Sequence, residues 1–300
     1  MYDLIIVGAG PAGITAAIYA VRKKLNLLVI SKDIGGQTAW SGNIENYTGY
    51  QFVSGTELTA KFEEHMRNYG IPLKEGESVL DVKKTPSGAT VRTDKGAYEA
   101  KTVIIASGKR SKELNIPGEK EFKNRGLTYC ATCDGPLFAG KAVAVIGGGN
   151  SALDATLQLM RIASHVYLVN IAPGLTGDPV MIEKIEASKA VTVMNDTKVV
   201  SITGGNIVSA VKIERSGKTQ ELKVEGVFVE IGLIPNSSIS ADVAKNDSGE
   251  IKVDSYNRTN VPGIFAAGDV TDVPEKQIII AAGEGSKAAL TAFRYLSRQR

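Results

Sequence analysis

Leu4-Ile5-Ile6-Val7-Gly8-Ala9-Gly10-Pro11-Ala12-Gly13 is the stretch from which the fold is read. Its four leading apolar residues have the length and branching of a buried parallel strand, and Ile14 to Val21 continues at helical spacing. Between them, Gly8 permits a tight turn, Gly10 lets a pyrophosphate approach the backbone, and Gly13 lets helix and strand pack closely. The start of the helix then turns unpaired N–H groups towards the anion. A second strand, Asn26 to Ile30, follows at βαβ spacing. Together these features predict an α/β dinucleotide-binding domain with Gly8, Gly10, Pro11 and Ala12 at its phosphate turn.

The pattern occurs twice. Ala142 to Ile146 leads into Gly147-Gly148-Gly149-Asn150-Ser151-Ala152 and a helix over Leu153 to Ile162, which places Gly147, Gly149, Asn150 and Ser151 at a second nucleotide turn. Two such turns predict two Rossmann-like domains of three-layer ββα type. The strand Val166 to Val169 ends at Asn170, where a 2′-phosphate would call for a nearby arginine, yet none lies between Arg161 and Arg215. NADH therefore fits this site better than NADPH. Neither strand tip carries the usual acidic residue: Asn170 stands at the second, and Ser31-Lys32-Asp33 at the first offers Ser31 or Asp33 to the ribose.

Thr128-Tyr129-Cys130-Ala131-Thr132-Cys133-Asp134-Gly135-Pro136 contains the only two cysteines. A structural disulfide over so few residues removes little loop entropy from the unfolded chain. A zinc site lacks ligands, because only His65 and His165 stand elsewhere. Two unrelated buried thiols are the remaining alternative to a redox couple that cycles between dithiol and disulfide. Asp134 is the nearest titratable group and suits proton transfer to or from a thiol.

A chain of 300 residues, 43% hydrophobic, has room for two domains, and its net charge of +3 leaves no electrostatic footprint for nucleic acid. Met1-Tyr2-Asp3 runs straight into the first strand without a basic leader, and no run of about eighteen apolar residues appears, so a cytoplasmic protein off the membrane is expected. In such a compartment a lone Cys-x-x-Cys is more readily redox-active than stapling.

The remaining segments frame these sites. Gly35-Gly36-Gln37 reads as a loop, followed by Asn43-Ile44-Glu45-Asn46-Tyr47, and Thr56 to Tyr69 as an amphipathic helix carrying a solvated His65. Ser78 to Ala100 reads as antiparallel strands turning at Pro86-Ser87-Gly88 and Asp94-Lys95-Gly96. Thr102 to Gly108 is a buried strand ending in small residues, with Gly108 at a point of close cofactor approach, and Lys109 to Glu119 reads as a linker. Val191 to Ile202, Ile207 to Arg215, Thr219 to Val224 and Gly226 to Ile231 read as strands. Gly263 to Val270 is a strand closing on Gly268-Asp269, whose carboxylate suits sugar hydroxyls. Gln277 and Ile278 open a last helix to about Leu296, its positive dipole end towards a ring or phosphate.

In this order the motifs Gly-Ala-Gly-Pro-Ala-Gly, Gly-Gly-Gln, Cys-Ala-Thr-Cys-Asp-Gly, Gly-Gly-Gly-Asn-Ser-Ala, Phe-Ala-Ala-Gly-Asp-Val and Gln-Ile-Ile-Ile-Ala-Ala-Gly-Glu-Gly resemble the low-molecular-weight thioredoxin reductase family over the full length. The second half is especially similar to the flavoprotein subunit of alkyl hydroperoxide reductase. The resemblance implies an FAD domain from residues 1–111 and 242–300, an inserted pyridine-nucleotide-type domain over 112–241, and a homodimer. It also implies FAD contacts at Gly8, Gly10, Ala12, Gly36, Gln37, Asn46, Asp269 and Gln277, with Val82 near the adenine. Cys133 would face the flavin, Cys130 would attack the partner disulfide, and Asp134 would serve as acid and base. The His-Arg-Arg run with which typical members grip NADPH is replaced here by Asn170, Ile171 and Ala172, with Thr176 at the place of a further arginine. Relatives using NADH carry a glutamate at the position of Asn170, so this chain follows neither pattern.

The expected activity is reduction of a thioredoxin or glutaredoxin-like protein by electrons passing from NADH through FAD and the Cys130–Cys133 disulfide. Such a disulfide must meet flavin and partner in turn, which calls for rotation about Lys112 to Pro117 and Gly232 to Ala241. Three rivals are a ferredoxin-type donor in place of the nicotinamide, a flavin NADH oxidase with incidental cysteines, and a non-enzymatic FAD-binding redox sensor.

Overall fold

The computed structural model describes residues 1–41, 43–44 and 46–299, without the side chains of Trp40, Asn43, Thr132 and Cys133. Glu45, in the segment after the Gly-Gly-Gln motif, lies outside the described residues. The chain divides into two compact units, Met1–Arg110 with Ile234–Arg300, and Ser111–Leu233. The second is thus inserted in the first, and its end falls earlier than residue 241, so Ile234 to Ala241 belongs to the first unit.

The first unit is built on a sheet ordered Leu73–Glu75, Leu27–Ile34, Tyr2–Ala9, Ala97–Ile105, Gly88–Thr93 and Val79–Thr85, with Ile264–Ala266 also paired to Ala97–Ile105. The strands at its centre are parallel, with Ile6 opposite Val29 on one side and Ile104 on the other. Because side chains alternate across a strand, Leu4 and Ile6 join the core beneath one face and Ile5 and Val7 the core beneath the other. Burial on both faces is why this strand reads as a continuous apolar run. Helices Pro11–Arg22 and Ile278–Ser297 cover one face through small residues, Ala16 and Ala20 with Ala288 and Ala292. They pack so closely that a Cβ on Gly285 would lie 2.0 Å from the carbonyl oxygen of Ala12.

The second unit carries a parallel sheet ordered Leu127–Thr128, Gly226–Val229, Ala142–Ile146, His165–Val169 and Val191–Met194. A separate antiparallel sheet holds Thr197–Gly204, Val208–Arg215 and Lys218–Lys223. Helices Asn150–Leu159 and Pro179–Glu186 pack on the parallel sheet around Leu153, Leu159, Leu168 and Ile185.

Several elements differ from the sequence reading. Ala97–Ile105 is one strand serving both the antiparallel ribbon and the parallel core, so the expected break before Thr102 is absent. Val191 to Ile202 is two strands, interrupted at Asp196, whose φ of 51° is left-handed. Gly36–Trp40 is a 3-10 helix rather than a loop, and the strand expected over Gly263 to Val270 shortens to Ile264–Ala266. Pro179–Glu186 was not expected as a helix, although Asp178 caps it by accepting from Val180 N and Pro179 opens it.

Candidate functional site

In the first unit the two inward-packed glycines of the first turn leave no space. Gly8 has φ 103°, a Cβ there would lie 2.3 Å from the Ala106 carbonyl oxygen, and one on Gly13 would lie 1.9 Å from that of Gly8. Gly10 and Gly36 are open by contrast: a Cβ on Gly10 would meet only the Gly35 oxygen at 4.0 Å, and one on Gly36 only the Cα of Gly10 at 3.6 Å. This leaves a backbone-lined cradle between the glycine turn and the Gly-Gly-Gln segment. The helix beginning at Pro11 has no side-chain cap and no acidic residue in its first turn, and the same holds for the helix after Gln277. Their leading N–H groups and dipoles therefore suit an anionic, ring-bearing ligand.

Asn46 donates to the Gln277 side chain at 3.0 Å, joining two predicted contact residues far apart in sequence. Gln37 reaches the Lys109 carbonyl at 3.5 Å. Gly108 is left-handed with open space at its Cβ, and Gly268 packs against Ala12 and Ala281. Asp269 sits among Lys276, Lys109 and Glu250; burial raises its carboxyl while the two lysines draw it down. Lys109 and Lys276 both pair with Glu250, at 2.9 and 3.0 Å. The buried Thr38 hydroxyl, on the 3-10 segment after Gly36, has no hydrogen-bond partner among the described residues. An open glycine cradle, two uncapped helix starts and this unpaired hydroxyl fit a bound FAD.

Two of the predicted contact residues in this unit are engaged within the fold. Val82 is buried in the core, its N–H donates to the Ile239 carbonyl and its carbonyl accepts from the Ser240 hydroxyl. Ser31 donates to the Asp33 carbonyl and accepts from Ala9 N, which spends its hydroxyl proton within the turn; burial raises the neighbouring Asp33 carboxyl.

In the second unit the cysteine stretch leaves the strand Leu127–Thr128 and enters a single turn of helix, Ala131–Asp134. Cys130 is disulfide-bonded; the side chain of Cys133 lies outside the described residues. Thr128 organises this turn, because its hydroxyl donates to the Asp134 carboxylate and accepts from Cys130 N at 3.2 Å. Tyr129 is held by Glu119, and Leu137, just past the motif, is 68% exposed.

In the second glycine turn the middle glycine, Gly149, is as open as Gly10, a Cβ there meeting only Thr176 Oγ1 at 3.9 Å, while the preceding Gly148 is crowded. A Cβ on Gly148 would lie 2.4 Å from Oδ1 of Asn170, whose Nδ2 donates to the carbonyls of Ala172 and Gly174 and to Asn195. Thr176 N donates to the Gly148 carbonyl at 2.8 Å, and Asp178 N donates to Asn150 Oδ1 at 2.7 Å. Asn170 therefore builds the 171–178 loop over the turn, and its amide hydrogens are not aimed at a ribose. Ser151 is exposed, and Gly147, with φ 145°, packs on the Glu230 carbonyl.

Glu230, Glu119 and the Lys109–Glu250–Lys276 cluster were not singled out from the sequence. Glu230 had a usable signal: it directly follows an apolar strand, at the end where α/β sites gather. The lysine cluster had none, since Lys109 and Glu250 are 141 residues apart.

Two dinucleotide-type units and a cysteine pair at a strand end define a flavoprotein disulfide oxidoreductase, and the chain belongs to the pyridine nucleotide-disulphide oxidoreductase family, whose model matches residues 2–285. It is similar to an alkyl hydroperoxide reductase protein of Staphylococcus aureus, 43% identical over 301 residues covering 99% of this chain. The chain spans 59% of the length of that relative. Among solved structures, thioredoxin reductase of Lactococcus lactis is 32% identical with a TM-score of 0.92, covering 99% of this chain and 100% of the other. That of T. acidophilum is 37% identical with a TM-score of 0.89, covering 100% and 99%. Among the described residues, no helix is long and apolar enough to cross a membrane.

Proposed function

We propose that this protein is an FAD-dependent disulfide reductase that carries electrons from a donor to the Cys130–Cys133 disulfide and on to a thioredoxin or glutaredoxin-like protein, working as a homodimer. NADH is favoured as donor because no arginine accompanies the second strand tip to hold a 2′-phosphate. The observation that carries the reading is the disulfide-bonded Cys130 on a turn whose Thr128 hydroxyl links Cys130 N to the Asp134 carboxylate.

FAD, when bound, supplies a two-electron carrier between donor and disulfide. The chain's own part begins with its cradle: Gly10 and Gly36 admit the cofactor's backbone-facing groups, and the helix starts at Pro11 and Ile278 face its negative charge. Asp269 offers a carboxylate to hydroxyls, and Asn46 orients Gln277. In the thiol half, the Cys130 thiolate attacks the partner's disulfide, forming one S–S bond as the partner's leaving sulfur departs. Cys133 then attacks Cys130 and closes the ring, so the partner leaves as a dithiol and this chain is oxidised. Asp134 takes and returns the thiol proton, held in place by Thr128. The exposed Leu137 gives the partner an apolar foothold beside the motif.

The test is Cys130→Ser, which should leave flavin reduction intact and abolish partner reduction; partner reduction that survives the change would overturn the reading. A second reading for the donor rests on the second strand tip, where Asn170 brings neither an arginine nor an acidic group and its amide is engaged with the 171–178 loop, itself bonded to Gly148 and Asn150. On that reading a ferredoxin-type protein reduces the flavin directly. Stopped-flow bleaching of the flavin by NADH, NADPH and reduced ferredoxin, side by side, separates the two.

A further inference from the structure

The parallel sheet of the second unit changes direction of winding between Ala142–Ile146 and Gly226–Val229, and sites in open α/β sheets collect beyond the carboxyl ends of strands at such a switch. The residue at that place is Glu230. Its N–H donates to the Ile146 carbonyl at 2.8 Å, and its own carbonyl closes on Gly147, which fixes its backbone against the second glycine turn. Its carboxyl accepts the N–H of Ala131, the residue after the disulfide-bonded Cys130, and faces Asp154 on the helix Asn150–Leu159. Asp134 stands at the other end of the Ala131 turn and is occupied with Thr128. Gln158 donates to Asp154 at 2.7 Å. Among the described residues, Asp154 is the charged group that acts on Glu230.

We propose that Glu230 is a positioning residue of the thiol couple, gripping the amide beside Cys130 and, with Asp154, setting the local charge against which the Cys130 thiolate must form. This deepens the reductase reading and rests on its assignment of Cys130. Burial, and secondly the charge of Asp154, hold the Glu230 carboxyl up to about 8, so at neutral pH it is a neutral neighbour. Above that pH it becomes an anion next to a second anion in the making, and like charge disfavours the thiolate. On the alkaline side the couple's reactivity would then climb less steeply with pH than that of a lone thiol.

The experiment is the rate of iodoacetamide alkylation of Cys130 in the dithiothreitol-reduced full-length flavoprotein, followed across pH by mass spectrometry, which needs neither donor nor partner. Wild type should show two inflections, the second near pH 8 and holding the rate several-fold below that of Glu230→Gln at higher pH. The two proteins should coincide below about pH 7, where Glu230 is neutral. Asp154→Asn, which leaves Glu230 in place, should move that inflection to lower pH, and serves if Glu230→Gln does not fold. Superimposable profiles, or an Asp154→Asn profile with its inflection unmoved, would overturn the proposal. Loss of partner reduction in Cys130→Ser is read separately, so failure here leaves the reductase reading standing.

Discussion

Tyr129, the residue before Cys130, donates its hydroxyl to the Glu119 carboxylate at 2.8 Å. Glu119 is only 2% exposed, and it also accepts the N–H groups of Leu114 and Asn115 at 2.7 and 2.5 Å. A buried charge so satisfied ties the first residues of the inserted unit to the cysteine segment. Burial, then the neighbouring carboxylate, raises the Tyr129 hydroxyl well above its ordinary range, so it remains a donor. Lys123 lies over its ring at 4.9 Å.

Tyr129→Phe removes one donor from that buried carboxylate. The expected cost is about 1–3 kcal/mol, seen as faster hydrogen exchange at the Leu114 and Asn115 amides. Unchanged exchange at both amides would show that Tyr129 does not support this buckle.

Two glycines three residues apart should behave oppositely. Gly13→Ala drives a methyl into the Gly8 carbonyl and should cost more than ~3 kcal/mol, preventing a stable first unit. Gly10→Ala meets nothing nearer than 4.0 Å and should fold with a normal circular dichroism spectrum. Because its methyl fills the cradle, its FAD affinity should fall by about tenfold or more, near 1.4 kcal/mol. Full flavin retention in Gly10→Ala would place the cofactor elsewhere.

Glu250 predicts an acid-sensitive contribution to the first unit. Burial alone would raise its carboxyl, but hydrogen bonds from Asn246, Lys109 and Lys276 outweigh that and hold it down at about 2. A depressed carboxyl stabilises the fold fully above its ordinary value of 4.5, and the contribution is lost as pH falls from there towards 2. Glu250→Gln should therefore destabilise by about 1–3 kcal/mol at neutral pH, with the gap to wild type closing in acid. A gap independent of pH would exclude the charge as its source.

Glu230 has the opposite sign. Its carboxyl is raised, so the unfolded chain gives up its proton first and stability falls as pH rises from 4.5 to about 8, then levels. Glu230→Gln should remove on the order of 3 kcal/mol from that slope, measured by denaturant unfolding of the second unit across the window. An identical slope in both proteins would contradict it.

Asn170→Asp should loosen the loop over the second turn. Its carboxylate would face the Ala172 and Gly174 carbonyls and the Asn195 side-chain oxygen with no proton to give, at a cost of roughly 1–3 kcal/mol or more. Proteolysis within residues 171–178 should become faster; unaltered resistance would show that the amide does not hold the loop.

The parts of this fold legible in the sequence are those set by local rules. Leu4 to Val7 is apolar throughout because both faces of its strand are buried, and Gly8 and Gly13 are glycines because no Cβ fits. The helix after Gln277 matched its reading nearly to the residue, ending at Ser297. What escaped was set by tertiary partners. Val82 reads like any strand residue, and its hydrogen bonds with Ile239 and Ser240, far off in sequence, appear only in the fold. Asn170 reads only as a neutral amide at a strand tip, and its hold on Asn195 and the Gly174 carbonyl appears only in the fold. Glu119 and Glu230 draw their importance from burial beside the cysteine turn, which no spacing announces.

The central claim is that electrons pass from bound flavin to one vicinal thiol couple. Anaerobic dithionite titration of the purified flavoprotein, with free thiols counted at each step, tests it most directly. Wild type should take up two electron pairs per flavin and expose both thiols, while Cys130→Ser takes up a single pair. A wild-type flavin bleached by one pair, with Cys130 and Cys133 still oxidised when excess reductant has been added, would contradict the account.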